Sequence, residues 1–80
     1  MEAWQQVLDQ LEREVPRDQF TTWLKPTVLL AIDGDEAVVA TPNIFVRQEV
    51  EAQYQALLEA ALRQVFDRRL TVLVVIDATV

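Results

Sequence analysis

The chain opens with apolar residues spaced for one face of a helix. At ~100° per residue, Trp4, Val7, Leu8, Leu11 and Val15 fall within an arc of ~100°, with Asp9, Glu12 and Arg13 on the other side. This predicts an amphipathic helix over 2–15. It ends at Pro16, because the residue before a proline is pushed out of the α region. A short second helix over 17–24 carries Phe20, Trp23 and Leu24 on its apolar side, and Pro26 closes it. The period then changes. Segments 27–32 and 36–40 are β-branched and aliphatic, and Asp33–Gly34 between them is a strong hairpin signal. Thr41 reads as a helix N-cap with Pro42 at the first helical position. From there to about Asp67 nothing interrupts a helix whose stripe is Val46, Val50, Tyr54, Leu57, Leu58, Ala61 and Val65. Arg68–Arg69 mark the exit, and 70–77 is a final strand. Its nearly continuous apolar run predicts a strand covered on both faces or central in its sheet. The expected order is ααββαβ: an α+β fold with a three-stranded sheet packed against helices, one domain over residues 1–80.

Composition narrows the function. There is no cysteine, histidine or serine, which removes disulfides, thiolate metal sites, the usual general base and the commonest hydroxyl nucleophile. A single glycine, Gly34, cannot build a phosphate-cradling loop. The carboxylates of Asp33, Asp35 and Glu36 belong to a turn without the downstream ligands of a calcium loop, and Glu49 and Glu51 read as solvated helix-surface residues. Enzyme activity, a metal and a cofactor are therefore not expected. The net charge is −6, and residues 1–40 hold three basic and eight acidic residues against four and five in 41–80. Tight duplex binding needs a basic footprint that this balance does not provide. The remaining route to nucleic acid is a local patch around Arg47 or Arg63–Arg69. The longest apolar runs, Val28–Ile32 and Leu73–Ile76, are far short of the ~18 residues of a membrane span. The first residues, Met1–Glu2–Ala3–Trp4, do not resemble a leader. A cytoplasmic protein without membrane contact is expected.

Two aromatic residues have more than one reading. Trp4 sits inside the first helix's apolar arc, where core packing is the plain explanation; an exposed edge used for self-association is the alternative. Phe45 lies elsewhere on its helix. With Val46 at zero the stripe centres near ~60°, and Phe45 falls at ~260°, nearly opposite. It reads either as an interaction residue or as packing on the hairpin or second helix. Asn43 beside it can cap the helix or present its amide to a partner.

Taken in order, Trp4, then Pro16–x–x–x–Phe20–x–x–Trp23–x–x–Pro26, then Thr41–Pro42–Asn43–x–Phe45, then Tyr54, resemble the N-terminal domain (domain I) of the DnaA family of bacterial chromosomal replication initiators. The resemblance runs over essentially all 80 residues. It implies a small K-homology-like fold, in agreement with the order read from the pattern. It also implies an assembly module that self-associates weakly and binds the replicative helicase and initiation regulators at the origin. Weak contact with single-stranded DNA is implied as well. Self-association would carry over to Trp4, and the helicase and regulator contact to Phe45 with Asn43. A position just before the Phe–x–x–Trp element, acidic in some members, is Gln19 here, with Asp18 next to it as a substitute carboxylate. The Gly–x–x–Gly backbone clamp of RNA-binding K-homology domains needs two glycines, and this chain has one. The family's ATPase and duplex-reading domains are not among these residues, so Val80 is expected to be a fragment boundary or the end of a standalone homologue.

Overall fold

The computed structural model describes residues 2–79; Met1 and Val80, the two ends of the expected domain, lie outside the described residues. The elements are α1 (Glu2–Glu14), α2 (Arg17–Gln19) continued by a π turn (Phe20–Leu24), and strands β1 (Val28–Asp33) and β2 (Glu36–Thr41). They are followed by α3 (Ile44–Glu49), a second π turn (Val50–Tyr54), α4 (Gln55–Phe66) and strand β3 (Thr71–Ile76). The α+β order is the one the hydrophobic pattern predicts. Trp4, Val7, Leu8 and Leu11 on α1 are buried, and α1 lies against α4, where Gln10 donates to Gln64 at 2.8 Å.

β1 and β2 form the expected antiparallel hairpin, with Asp33 opposite Glu36 across a two-residue loop. Gly34 takes φ 59° at the first loop position, where the twist of the strands demands a positive φ. β3 pairs parallel to β2, so the sheet order is β1-β2-β3. The inner face presents Leu29, Val39 and Val74 in one cross-strand row, and Ile32, Ala37 and Val72 in the next. These pack into the core with Leu11, Leu24, Val50, Leu58 and Leu62 from the helical elements.

Three expectations are corrected. β3 is neither central nor covered on both faces: it is an edge strand with Leu73 and Ile76 exposed. The central strand is β2, which continuity of the hairpin and the crossover from α4 decide. Second, the helix over 43–67 is not uniform. Its buried residues Val46, Val50, Tyr54 and Leu58, with Leu62 beyond the predicted stripe, recur every fourth position. In a pure α-helix each step of four drifts ~40°, so five such residues would spread over ~160°. The wider i→i+5 turn at Val50–Tyr54 absorbs the drift and keeps them on the core. Tyr54 leaves it at φ −122°, ψ −5°. Leu57, placed in the stripe by uniform α periodicity, is only half-buried. The same device widens the second predicted helix at Phe20–Leu24, burying Phe20 and Leu24 four apart. Third, Thr41 is not the helix cap. It ends β2, fully buried, with its hydroxyl donating to the Val75 carbonyl at 2.9 Å. Pro42 therefore precedes the helix instead of opening it, and the cap falls to Asn43.

Candidate functional site

Asn43 adopts an extended backbone, φ −158° and ψ 173°, and its side-chain oxygen accepts the Val46 amide at 3.0 Å. This satisfies one of the four amides that a helix N-terminus leaves without partners. The cap fixes where α3 begins and hence where its first turn points. Of the two readings for Asn43, the side-chain oxygen is committed to the helix. Val46 turns inward from this start, and Phe45 turns out: 71% of Phe45 is exposed, with Ile44 beside it also exposed. The packing alternative for Phe45 is not what the structure has. A large aromatic ring held outward on a capped helix is a rigid apolar projection.

From Phe45 the surface continues along α3. Glu49 stands one turn further on, at the i, i+4 position that shares the Phe45 side of the helix. Tyr54 follows at the end of the π turn, its ring buried and its hydroxyl donating to the Gln19 side-chain oxygen at 3.2 Å. Burial of the ring first, then the negative charges of Glu49 and Asp18, push the Tyr54 hydroxyl above its ordinary 10.0. Both carboxylates therefore lie near enough to that hydroxyl to disfavour its ionisation. The result is a strip running from Phe45 past Glu49 to Tyr54, Gln19 and Asp18, with an apolar end and an acidic end. Asp18 and Gln19 are exposed on it. Phe45 and Tyr54 are nine residues apart, ~13 Å along a helix, and the exposed ring of the first and the buried ring of the second mark the two ends.

Sequence reasoning selected Phe45, Asn43, Gln19 and Asp18 but not Glu49, which it set aside as a solvated carboxylate. The signal available was its i, i+4 spacing from Phe45. What hid it was the need to know that α2 comes up beside the end of the π turn.

Trp4 is arranged differently. Only 7% of it is exposed, and its indole Nε1 is enclosed without a hydrogen-bond acceptor among the described residues. Packing is the reading the structure bears. On the basic side, Arg63, Arg68 and Arg69 line one open hollow of about 640 Å³ together with Asp67. Arg68 donates to the Gly34 carbonyl at 2.8 Å, and Arg47 lies 3.5 Å from Glu51 on its own helix, so two of the seven basic residues are already engaged. Among the described residues no helix is long and apolar enough to cross a membrane.

Residues 1–64 match the family model for the DnaA N-terminal domain. The chain is 31% identical over 77 residues to the chromosomal replication initiator protein DnaA of Herpetosiphon aurantiacus, covering 96% of this chain and 16% of that protein. It is 32% identical over 71 residues to the same protein of Thermomicrobium roseum, covering 89% and 15%, and 32% identical over 65 residues to that of a Picosynechococcus species, covering 81% and 14%. The chain thus spans about one seventh of the length of the relatives it matches. The residues that cap and aim α3, the matched stretch that contains them and these identities together establish that the chain belongs to the DnaA N-terminal domain family.

Proposed function

We propose that this domain is a protein-interaction module of replication initiation in the cytoplasm, without catalytic activity of its own, which binds the replicative helicase and initiation regulators through the Phe45 strip. The observation that carries the reading is Phe45 itself, 71% exposed on a helix start fixed by Asn43. Aromatic anchors of this kind concentrate binding energy in interfaces. The acidic end, Glu49 and Asp18 around Gln19, adds steering toward basic partners and takes over the charge that Gln19 lacks. Weak self-association is part of the same reading. Trp4, the residue that the resemblance ties to it, lies beneath the surface, so its contribution is to hold α1 in place and not to offer a contact.

The test is Phe45→Ala. It removes little buried area, so the melting temperature should stay nearly unchanged while affinity for the helicase falls at least 10-fold. A lowered melting temperature with affinity intact would overturn the reading.

A second reading rests on the convergence of Arg63, Arg68 and Arg69 at one hollow: weak binding of single-stranded DNA. So few arginines neutralise few phosphates, and salt dependence follows that number. The expected titration shows very weak single-strand binding, no useful duplex binding and a shallow salt slope. Tight binding with a steep slope would make this the primary function.

A further inference from the structure

Val72, Val74 and Ile76 alternate onto the inner face of β3. The first two are buried under the helices, yet 43% of Ile76 is exposed. Its register partner is Thr41, one strand spacing away at ~4.8 Å. The buried Thr41 hydroxyl donates to the Val75 carbonyl at 2.9 Å and lies 3.5 Å from the Asn43 carbonyl. The end of β3 and the cap of α3 therefore meet at Thr41, and α3 lies against β3. Gln55 bonds the Val72 carbonyl at 3.1 Å, which identifies the side of the helical segment that looks at β3. Ile44 stands eleven residues before Gln55, about three turns, and so faces the same side. Those residues span ~16 Å of helix, and Val72 to Ile76 spans ~13 Å of strand. Counting back along the helix and forward along the strand thus brings Ile44 up beside Ile76, with Phe45 next around the helix. Ile44 is 44% exposed, so two elements contribute to one apolar patch.

We propose that Ile44 and Ile76 complete the Phe45 surface, and that the whole patch receives an apolar segment of a partner protein that bears positive charge. The proposal rests on the reading of Phe45 as the partner contact and adds the C-terminal strand to it. Charge selects the partner. Asp77 follows Ile76 directly, and Glu49 flanks Phe45 on the other side, while β3 itself carries no charged residue. Asp77 is held in place by Thr79, whose hydroxyl and amide donate to it at 2.6 and 3.0 Å. The one base of α3, Arg47, lies 3.5 Å from Glu51 and is engaged by it. An apolar centre between two carboxylates fits an apolar anchor flanked by lysine or arginine. Nucleic acid phosphates would meet the same carboxylates, and a second copy would bring a net charge of −6 to them. Strand pairing and the Thr41 bonds fix Ile76 relative to the capped helix, so the patch is organised before the partner arrives.

The test is a titration of the replicative helicase with the 80-residue chain and its variants. Ile76→Ala should weaken binding about 5-fold. Ile76→Lys should weaken it at least 20-fold, and Ile76→Glu should stay close to the alanine variant, because a basic partner tolerates the carboxylate. Leu73, 45% exposed on the opposite face of the same strand, is the control, and Leu73→Lys should leave affinity unchanged.

Binding weakened by Phe45→Ala but not by Ile76→Lys overturns the inference and leaves the Phe45 reading standing. Binding intact in Phe45→Ala overturns that reading and this one with it. Equal losses from Leu73→Lys and Ile76→Lys place the effect in the stability of the strand and overturn the patch. Equal losses from Ile76→Glu and Ile76→Lys overturn the basic partner. Sedimentation of the chain without helicase tests the other occupant: a dimer that Ile76→Lys dissolves assigns the patch to a second copy and overturns the proposal.

Discussion

The Glu59 carboxylate on α4 accepts the Val72 amide of β3 at 2.9 Å. Gln55, one helical turn earlier, donates to the Val72 carbonyl at 3.1 Å and to Glu59 at 3.3 Å. Thr71 and Asp77 direct their amides to the β2 side, bonding the carbonyls of Asp35 in the hairpin loop and Thr41 in β2, so Val72 faces away from it. A helix thereby pairs one residue of an edge that would otherwise present open amides and carbonyls. This seals the Val72 end of β3 and ties the C-terminal strand to the helix that precedes it.

Replacing Glu59 with alanine leaves the Val72 amide without its acceptor. Hydrogen bonds to charged groups contribute ~1.5–3 kcal/mol, and part-burial favours the lower figure. Denaturant unfolding should show a loss of about that size, and the Val72 amide should lose protection from hydrogen exchange.

Trp4→Ala should be severe. Truncating a buried large aromatic costs about 3–5 kcal/mol, and an 80-residue domain has only about 4–12 kcal/mol in total. The melting temperature should fall by tens of degrees, and Trp4→Phe should recover most of it. A mild effect on melting would show that Trp4 spends its time on the surface after all.

The raised Tyr54 hydroxyl gives a pH dependence whose sign is determined. Between its unfolded value near 10.0 and its higher folded value, the folded state holds the proton that the unfolded state has lost. Stability is therefore full below pH 10 and falls as pH rises through the folded value. Tyr54→Phe should flatten that alkaline limb, at a cost of ~1 kcal/mol for the lost bond to Gln19. Thermal melts of both chains between pH 8 and roughly 11 check this.

At the acid end Asp77 acts in the opposite sense. The Thr79 hydroxyl, 2.6 Å away, and then its amide, 3.0 Å away, hold the Asp77 carboxyl below its ordinary 3.8. Its small contribution is present above that value and is lost as pH falls through the folded one. Asp77→Asn should reduce the acid sensitivity slightly, seen in melts below pH 4.

Asp67 closes α4 in the left-handed region, φ 57°, a position usually held by glycine. Asp67→Gly should relieve about 1 kcal/mol of backbone strain, visible as a melting temperature raised by a few degrees. It also removes the carboxylate from the arginine-lined hollow, so any single-strand affinity should rise with it.

Much of the fold is legible along the chain because it depends on local chemistry. Apolar spacing in 2–15 specifies α1, proline at 16 and 26 brackets the second helix, and Gly34 supplies the one positive φ that the hairpin requires. Phe45 is legible too, since its angle to the stripe is a property of the helix alone. The cap was misread as Thr41 because Thr and Asn are both good caps; only the arrival of β3, whose Val75 carbonyl takes the Thr41 hydroxyl, separates them. Glu49 and Gln19 could not be joined by spacing, because they lie 30 residues apart on different elements; Gln19 accepts the Tyr54 hydroxyl, and Glu49 acts on that hydroxyl through its charge.

The amino-acid sequence by itself determined which segments are helices and strands, which side of each is apolar, and that these 80 residues hold no histidine, cysteine or serine, since periodicity, turn residues and side-chain inventory are local quantities. Tertiary structure alone decided the strand order, the widened turns that bring a spacing of four onto one core, and the difference between a Trp4 that is buried and a sheet face that is not. Those depend on which surfaces meet. An apolar side chain reads the same in sequence whether a helix, another molecule or water lies over it.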